Sequence, residues 1–223
     1  MQPWLGHFEV ASTSLLLIQP TPRLPPCAIS LGHPLQADLI ADFIKRATAE
    51  LGKVLTAADA PAAVRLLLND VSTFDAADPS SGGVDGSIIL PEELDRPENK
   101  DLKPLVEKLA KAKAAVDAQG AERGQQPISW ADTIVLAAKV GTEAAWAVER
   151  QQRASTPEGK RNSLMFPNPI AVRVGRIDAT EPAPAGRVPA PGTSIEEIRA
   201  FFTKFGNKPG SLDGPFPKLP LFK

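Results

Sequence analysis

Where proline sits decides where this chain can be helical. Its 23 prolines are about twice the usual ~5% share. They gather in residues 20–34, 167–191 and 209–220. Proline lacks an N–H and clashes with the preceding turn, so helices avoid such runs. The pattern predicts a compact centre, one long internal loop and two extended arms. We expect an N-terminal arm over 1–34, a helical domain over 35–206 and a C-terminal arm over 207–223.

Within the centre the apolar residues fall at three- and four-residue steps, the stripe of amphipathic helices. Leu35, Leu39, Ile40, Phe43, Ile44, Ala47 and Leu51 predict a first helix ending at Gly52. A second is expected from Asp59 or Ala60, with Pro61 in its first turn, through Val64, Leu67 and Leu68 towards Phe74. Residues 75–90 read as loop. Leu102, Leu105, Val106, Leu109 and Val116 predict a third helix, broken at Gly120 and Gly124. Ser129 and Asp132 have capping-box spacing and open a fourth, which carries Ile134, Val135, Ala138, Ala145 and Val148. Val172 to Arg176 reads as a short extended piece. Thr193 or Ser194, followed by Glu196 or Glu197, opens a fifth helix through Phe205, with Gly206 as its stop. The fold class expected is mainly α.

Composition removes several functions. A formal net charge of −1 gives no basic field for nucleic acid or an anionic membrane. The single cysteine, Cys27, allows no internal disulfide framework or multi-cysteine zinc site. The run Leu15 to Ile18 is far short of the ~20 residues of a membrane span. No Lys or Arg precedes it, so it does not read as a signal peptide. Gly82-Gly83 and Asp85-Gly86 lack the Lys-Ser/Thr of a nucleotide loop.

The chemistry-bearing stretch is Arg65-Leu66-Leu67-Leu68-Asn69-Asp70. Cleaving a peroxide needs a base for its proton and a cation for the departing oxygen. Arg65 supplies a cation. Asn69 donates and accepts hydrogen bonds but does not titrate. The chain has 2 histidines, His7 and His33, and both precede this stretch. Asp70, Asp75, Asp78, Asp85 and Ser87 bring hard oxygen donors to one loop region. Calcium needs six to eight oxygens, and a solvated, turn-forming acidic loop is the plainer reading.

Five collinear stretches carry a resemblance: Arg65 to Asp70; Gly82 to Ile88 followed by Pro91-Glu92-Glu93-Leu94; Asn99; Pro127 to Asp132; and Gly175-Arg176-Ile177-Asp178 with Gly186-Arg187-Val188-Pro189. In order and spacing they resemble the plant haem peroxidases, in particular the ascorbate-peroxidase branch. By that resemblance Arg65 stands in the distal arginine slot, Leu68 in the aromatic slot and Asn69 in the slot of the distal histidine. Asn99 stands where the family places the asparagine that orients that histidine. Leu68-Asn69-Asp70, Gly86-Ser87-Ile88, Glu93 to Asn99 and Gly175 to Glu181 are also similar to non-catalytic members of the branch in the thylakoid lumen, which are associated with photosystem II.

The resemblance implies the distal, N-terminal half of the haem-peroxidase helical fold, since it stops before the family's proximal iron-ligand stretch. It implies a vestigial pocket of Arg65, Leu68, Asn69 and Asn99, with no haem and no catalysis. The expected role is an accessory subunit of a photosynthetic membrane complex, photosystem II first, in the chloroplast thylakoid lumen and without a membrane span of its own. The alternative is an ascorbate-peroxidase-like enzyme reducing hydrogen peroxide at a haem b held by a non-standard iron ligand. In secreted cousins the aspartate after the distal histidine binds calcium, and Asp70 with Asp85 and Ser87 echoes that set at a longer spacing.

Overall fold

A computed structural model describes residues 34–78, 81–158, 170–190 and 192–206. Both expected arms, with His7, Cys27 and His33, lie outside the described residues, apart from Pro34. The helices are α1 (Pro34–Val54), α2 (Ala60–Asp70), α3 (Pro91–Leu94), α4 (Lys103–Ala121), α5 (Trp130–Arg153) and α6 (Ile195–Thr203). Among the described residues four single 3-10 turns join them, Val71–Thr73 and Ser87–Ile89 included. Among the described residues no strand forms, and one bridge pairs Asp75 with Asp78. The mainly α class is as expected.

The core is built around the first half of α5. Ala131 to Ala138 are buried on every side of the helix, the pattern of a helix wrapped by neighbours. Leu51 of α1, Leu66 of α2, Ile88, Leu102, Leu109 of α4 and Leu136 of α5 are completely enclosed. Each such side chain contributes roughly 1.5–3 kcal/mol by leaving water. The approach of α2 to α5 is close because Gly141 has no side chain. A Cβ there would stand 3.1 Å from the Cα of Ala60.

Three donors at the start of α5 are satisfied by side chains. Ser129 accepts the amide of Asp132 at 3.0 Å. Asp178, from the loop after α5, accepts the amides of Trp130 and Ala131, both at 2.9 Å. These are donors a helix start otherwise leaves unpaired. The expected capping box is therefore only half present. Asp132 turns away from Ser129 and accepts Gly175 N–H at 2.6 Å and Arg176 Nη1 at 2.9 Å. It fastens the long loop instead of closing the box, because its short side chain is already satisfied there.

Other expectations need correction. α1 continues through Gly52 to Val54; a single exposed glycine weakens a helix by ~1 kcal/mol but does not end it. Leu39 and Ile40, placed on the buried stripe, are exposed. α2 stops at Asp70 and a 3-10 turn carries the chain to Phe74. In α2 Val64 is 45% exposed, and its inner face runs through Ala63 and Leu66. Val172 and Val174 pack on the core, but the Val172–Arg176 piece has no strand partner. The fifth predicted helix is α6, with a full Ser194–Glu197 capping box. Leu67 packs on the core and Phe201 is buried, while Phe202 stays exposed.

Candidate functional site

The site lies between the outer face of α2 and the segment leading into α6. Arg65, Leu68 and Asn69 occur at i, i+3 and i+4, so helical geometry puts them on one face. They line one wall of a cleft of about 710 Å³. Val188, Pro189 and Ile198 are on the other side. That far wall is held firmly. Lys204, just past α6, accepts the Ala76 amide on its carbonyl at 2.7 Å and donates its ammonium to the carbonyl of Ser72. The same ammonium stands 4.5 Å from the ring centroid of Phe201, a favourable cation–π placement. Phe205 meets Phe201 edge-on at 5.3 Å and Phe74 stacked at 6.3 Å.

Asn69 sits at the inner end of α2, with only 5% of its surface exposed. Its Nδ2 donates to Asn99 Oδ1 at 2.7 Å. Asn99 in turn donates Nδ2 to the carbonyl of Glu93 at 2.9 Å. That second bond fixes which end of Asn99 faces Asn69, and therefore which end of Asn69 is the donor. The Oδ1 of Asn69 is left buried without a partner. Arg65 donates Nη2 to the carbonyl of Glu98 at 2.9 Å and lies 3.5 Å from Asp101. Asp101 is largely exposed and Arg65 nearly half so, and such pairs contribute ~0–1 kcal/mol.

Behind Asn69 a denser set of bonds holds the loop that forms the far wall. Glu93 is buried and accepts the Ala183 amide at 2.8 Å. Arg96 donates to the carbonyl of Ala183. Arg187 reaches the carbonyl of Thr73 at 3.4 Å. These tethers, with Asp132 and Asp178, went unnoticed in the sequence reading of the site. Their signal was present in the Pro-Glu-Glu-Leu and Gly-Arg segments, but their partners are 43 to 114 residues away.

The three residues of the calcium reading meet at the Ser87–Ile89 turn. Asp70 is fully buried and accepts the amides of Gly86 at 3.0 Å and Ile88 at 3.3 Å. Asp85 accepts the amide of Ser87 at 3.1 Å. The Ser87 hydroxyl is buried without a partner. Burial pushes the Asp70 carboxyl up to about 7, against the two amide bonds, and the charges of Asp85 and Glu93 act in the same direction as burial. The set is wired as amide acceptors that shape a turn. No group of three or more His, Cys, Asp or Glu side chains is arranged for a metal among the described residues. Gly86 has φ 72°, and a Cβ there would stand 3.0 Å from the Ala131 amide, so this turn and the start of α5 interlock.

Haem is the group this resemblance brings into question, and the donor set tests it. A haem iron takes an imidazole, thiolate, thioether or phenolate as axial ligand. The residues lining the cleft include none of these. The cleft lining therefore supplies a guanidinium and the carboxylates of Glu98 and Asp101 but none of these axial ligands, and it does not fit haem as it stands.

The family described as Peroxidase matches residues 40–209. The chain is 36% identical over 157 residues to a protein of Arabidopsis thaliana named "Putative L-ascorbate peroxidase 6", covering 70% of this chain and 39% of that one. It is 33% identical over 160 residues to the chloroplastic thylakoid lumenal 29 kDa protein of the same plant, covering 68% and 45%. The crystal structure of the TL29 protein from Arabidopsis thaliana matches at a TM-score of 0.65 and 29% identity, over 77% of this chain and 71% of that chain. A cleft beside α2 on a helical scaffold and a family match over most of the chain give one conclusion: the chain belongs to the peroxidase family. It spans less than half the length of these curated relatives.

Proposed function

We propose that this chain is a haem-free, non-catalytic peroxidase relative that serves as an accessory subunit of a photosynthetic membrane complex, photosystem II first, on the lumenal side of the thylakoid. One observation carries the non-catalytic half. The position where a base would take the peroxide proton holds Asn69, whose nitrogen is committed to Asn99 and whose oxygen has negligible proton affinity. Loss of a general base costs roughly 10²–10⁴-fold in rate. Arg65 is also engaged, with the Glu98 carbonyl and Asp101.

The lumenal location rests on the likeness to proteins named as thylakoid lumenal. No helix among the described residues is long and apolar enough to cross a membrane, which agrees with a peripheral position. Fractionated thylakoids resolved on a native gel test the reading. Co-migration of the chain with a photosystem complex is expected. Migration as a free monomer outside the thylakoid fraction contradicts it.

A further inference from the structure

We propose that the chain self-associates head to tail, with the Ile177 loop of one copy seated in the α2–α6 cleft of another. The inference is independent of any membrane partner. Ile177 is 86% exposed, the most exposed large apolar side chain among the described residues. A lone exposed apolar residue is ordinary; what sets Ile177 apart is that its loop is clamped on both sides. Asp132 accepts the Gly175 amide at 2.6 Å and Arg176 Nη1 at 2.9 Å. Arg176 Nη1 also reaches back to the carbonyl of Arg173 at 2.6 Å. On the other side, Asp178 accepts the amides of Trp130 and Ala131, and the Ala179 amide donates to the carbonyl of Asp85 at 2.7 Å. Ile177 is thus a rigid knob, and a pre-ordered knob loses little freedom when it docks.

The cleft is the complementary surface. Leu68, Val188, Pro189 and Ile198 line it, and its volume of about 710 Å³ is ample for an isoleucine with the loop backbone on either side. Its far wall is pinned by Lys204, Glu93 and Arg96, so it is ready to receive the knob. Charge favours the same pairing. Arg173 beside the knob is exposed and joins no ion pair among the described residues. Glu98 and Asp101, both exposed, line the cleft. They stand against the single guanidinium of Arg65, which is engaged with the Glu98 carbonyl and Asp101. An apolar knob with a basic flank on one copy therefore meets an apolar cleft with acidic residues on the next. Knob and cleft are different surfaces, so the contact is heterologous, and a pair retains one free knob and one free cleft.

Sedimentation velocity of the full 223-residue chain across a concentration series tests this. The native chain should form pairs and longer species as concentration rises. Ile177→Asp spoils the knob and Ile198→Trp fills the cleft. Each alone should weaken association about 10–100-fold, the effect of losing one buried isoleucine. An equimolar mixture of the two variants still holds one intact knob and one intact cleft. It should form pairs with native affinity and nothing longer. Arg173→Gln should weaken association up to about fivefold at low salt and leave it unchanged at high salt. A native chain that is monomeric at every concentration overturns the proposal. So does association that survives Ile177→Asp, or a mixture of the two variants that stays monomeric. If Ile198→Trp does not fold, Pro189→Asp on the same wall replaces it in the mixture, with the same outcomes.

Discussion

Asp70 shows how one residue ties this scaffold to pH. Its carboxyl is raised to about 7 from an ordinary 3.8. A carboxyl raised in the folded state adds stability that is complete below its unfolded value and is lost as pH rises through the folded one. The carboxyls of Glu50 and Asp59 are held low by lysine partners, so their stabilisation is lost only at more acid pH. Between pH 5 and pH 8 Asp70 therefore sets the direction. The unfolding midpoint of the chain should fall from pH 5 to pH 8, by about 2–4 °C for each kcal/mol lost. Calorimetry at the two pH values checks this, and Asp70→Asn should flatten the dependence. That variant also turns an NH2 towards one of the amides of Gly86 and Ile88, and should lower stability at both pH values by about 1–3 kcal/mol. Asn99 is the second residue with a large expected effect. Asn99→Ala leaves the Asn69 nitrogen without its partner, while the Glu93 carbonyl keeps the Arg96 amide at 3.2 Å. Urea unfolding should register a loss of about 1–3 kcal/mol, the cost of one buried orphan.

At the scale of elements, the start of α5 is the junction of the fold. Ser129→Ala removes one side-chain acceptor and should cost about 1 kcal/mol. Asp178→Ala removes two and frees the loop that Asp178 anchors, so its cost in urea unfolding should be about twice as large. Gly141→Val forces α2 away from α5 at the Ala60 contact, and overpacking of that kind costs about 1–3 kcal/mol. The sequence made these helices legible because their signals are local. Pro61, Ser129, Ser194 with Glu197, and the Leu102–Val116 stripe all act within one or two turns. Gly52 misled because propensity is a weak local term, outweighed by the burial of Leu51 and Leu55 on either side. Asp132 misled because its preferred donors, on Gly175 and Arg176, lie across the loop. The residues of the cleft's α2 wall, and Asn99, were singled out only through the resemblance to the haem peroxidases. Their wiring was not: the diversion of Arg65 to Glu98, 33 residues away, is a product of the tertiary fold and has no local signature.

For the whole molecule, one lobe of helices frames the α2–α6 cleft, with Arg65, Leu68 and Asn69 on its α2 wall. On the proposed function, the scaffold keeps its distal frame and no longer turns over peroxide. Peroxide turnover by the full chain mixed with equimolar hemin at pH 7, compared with free hemin, tests that claim most directly. The account predicts no saturable Soret shift and a rate equal to that of free hemin. A 1:1 Soret transition with ascorbate-dependent peroxide consumption well above free hemin would contradict it.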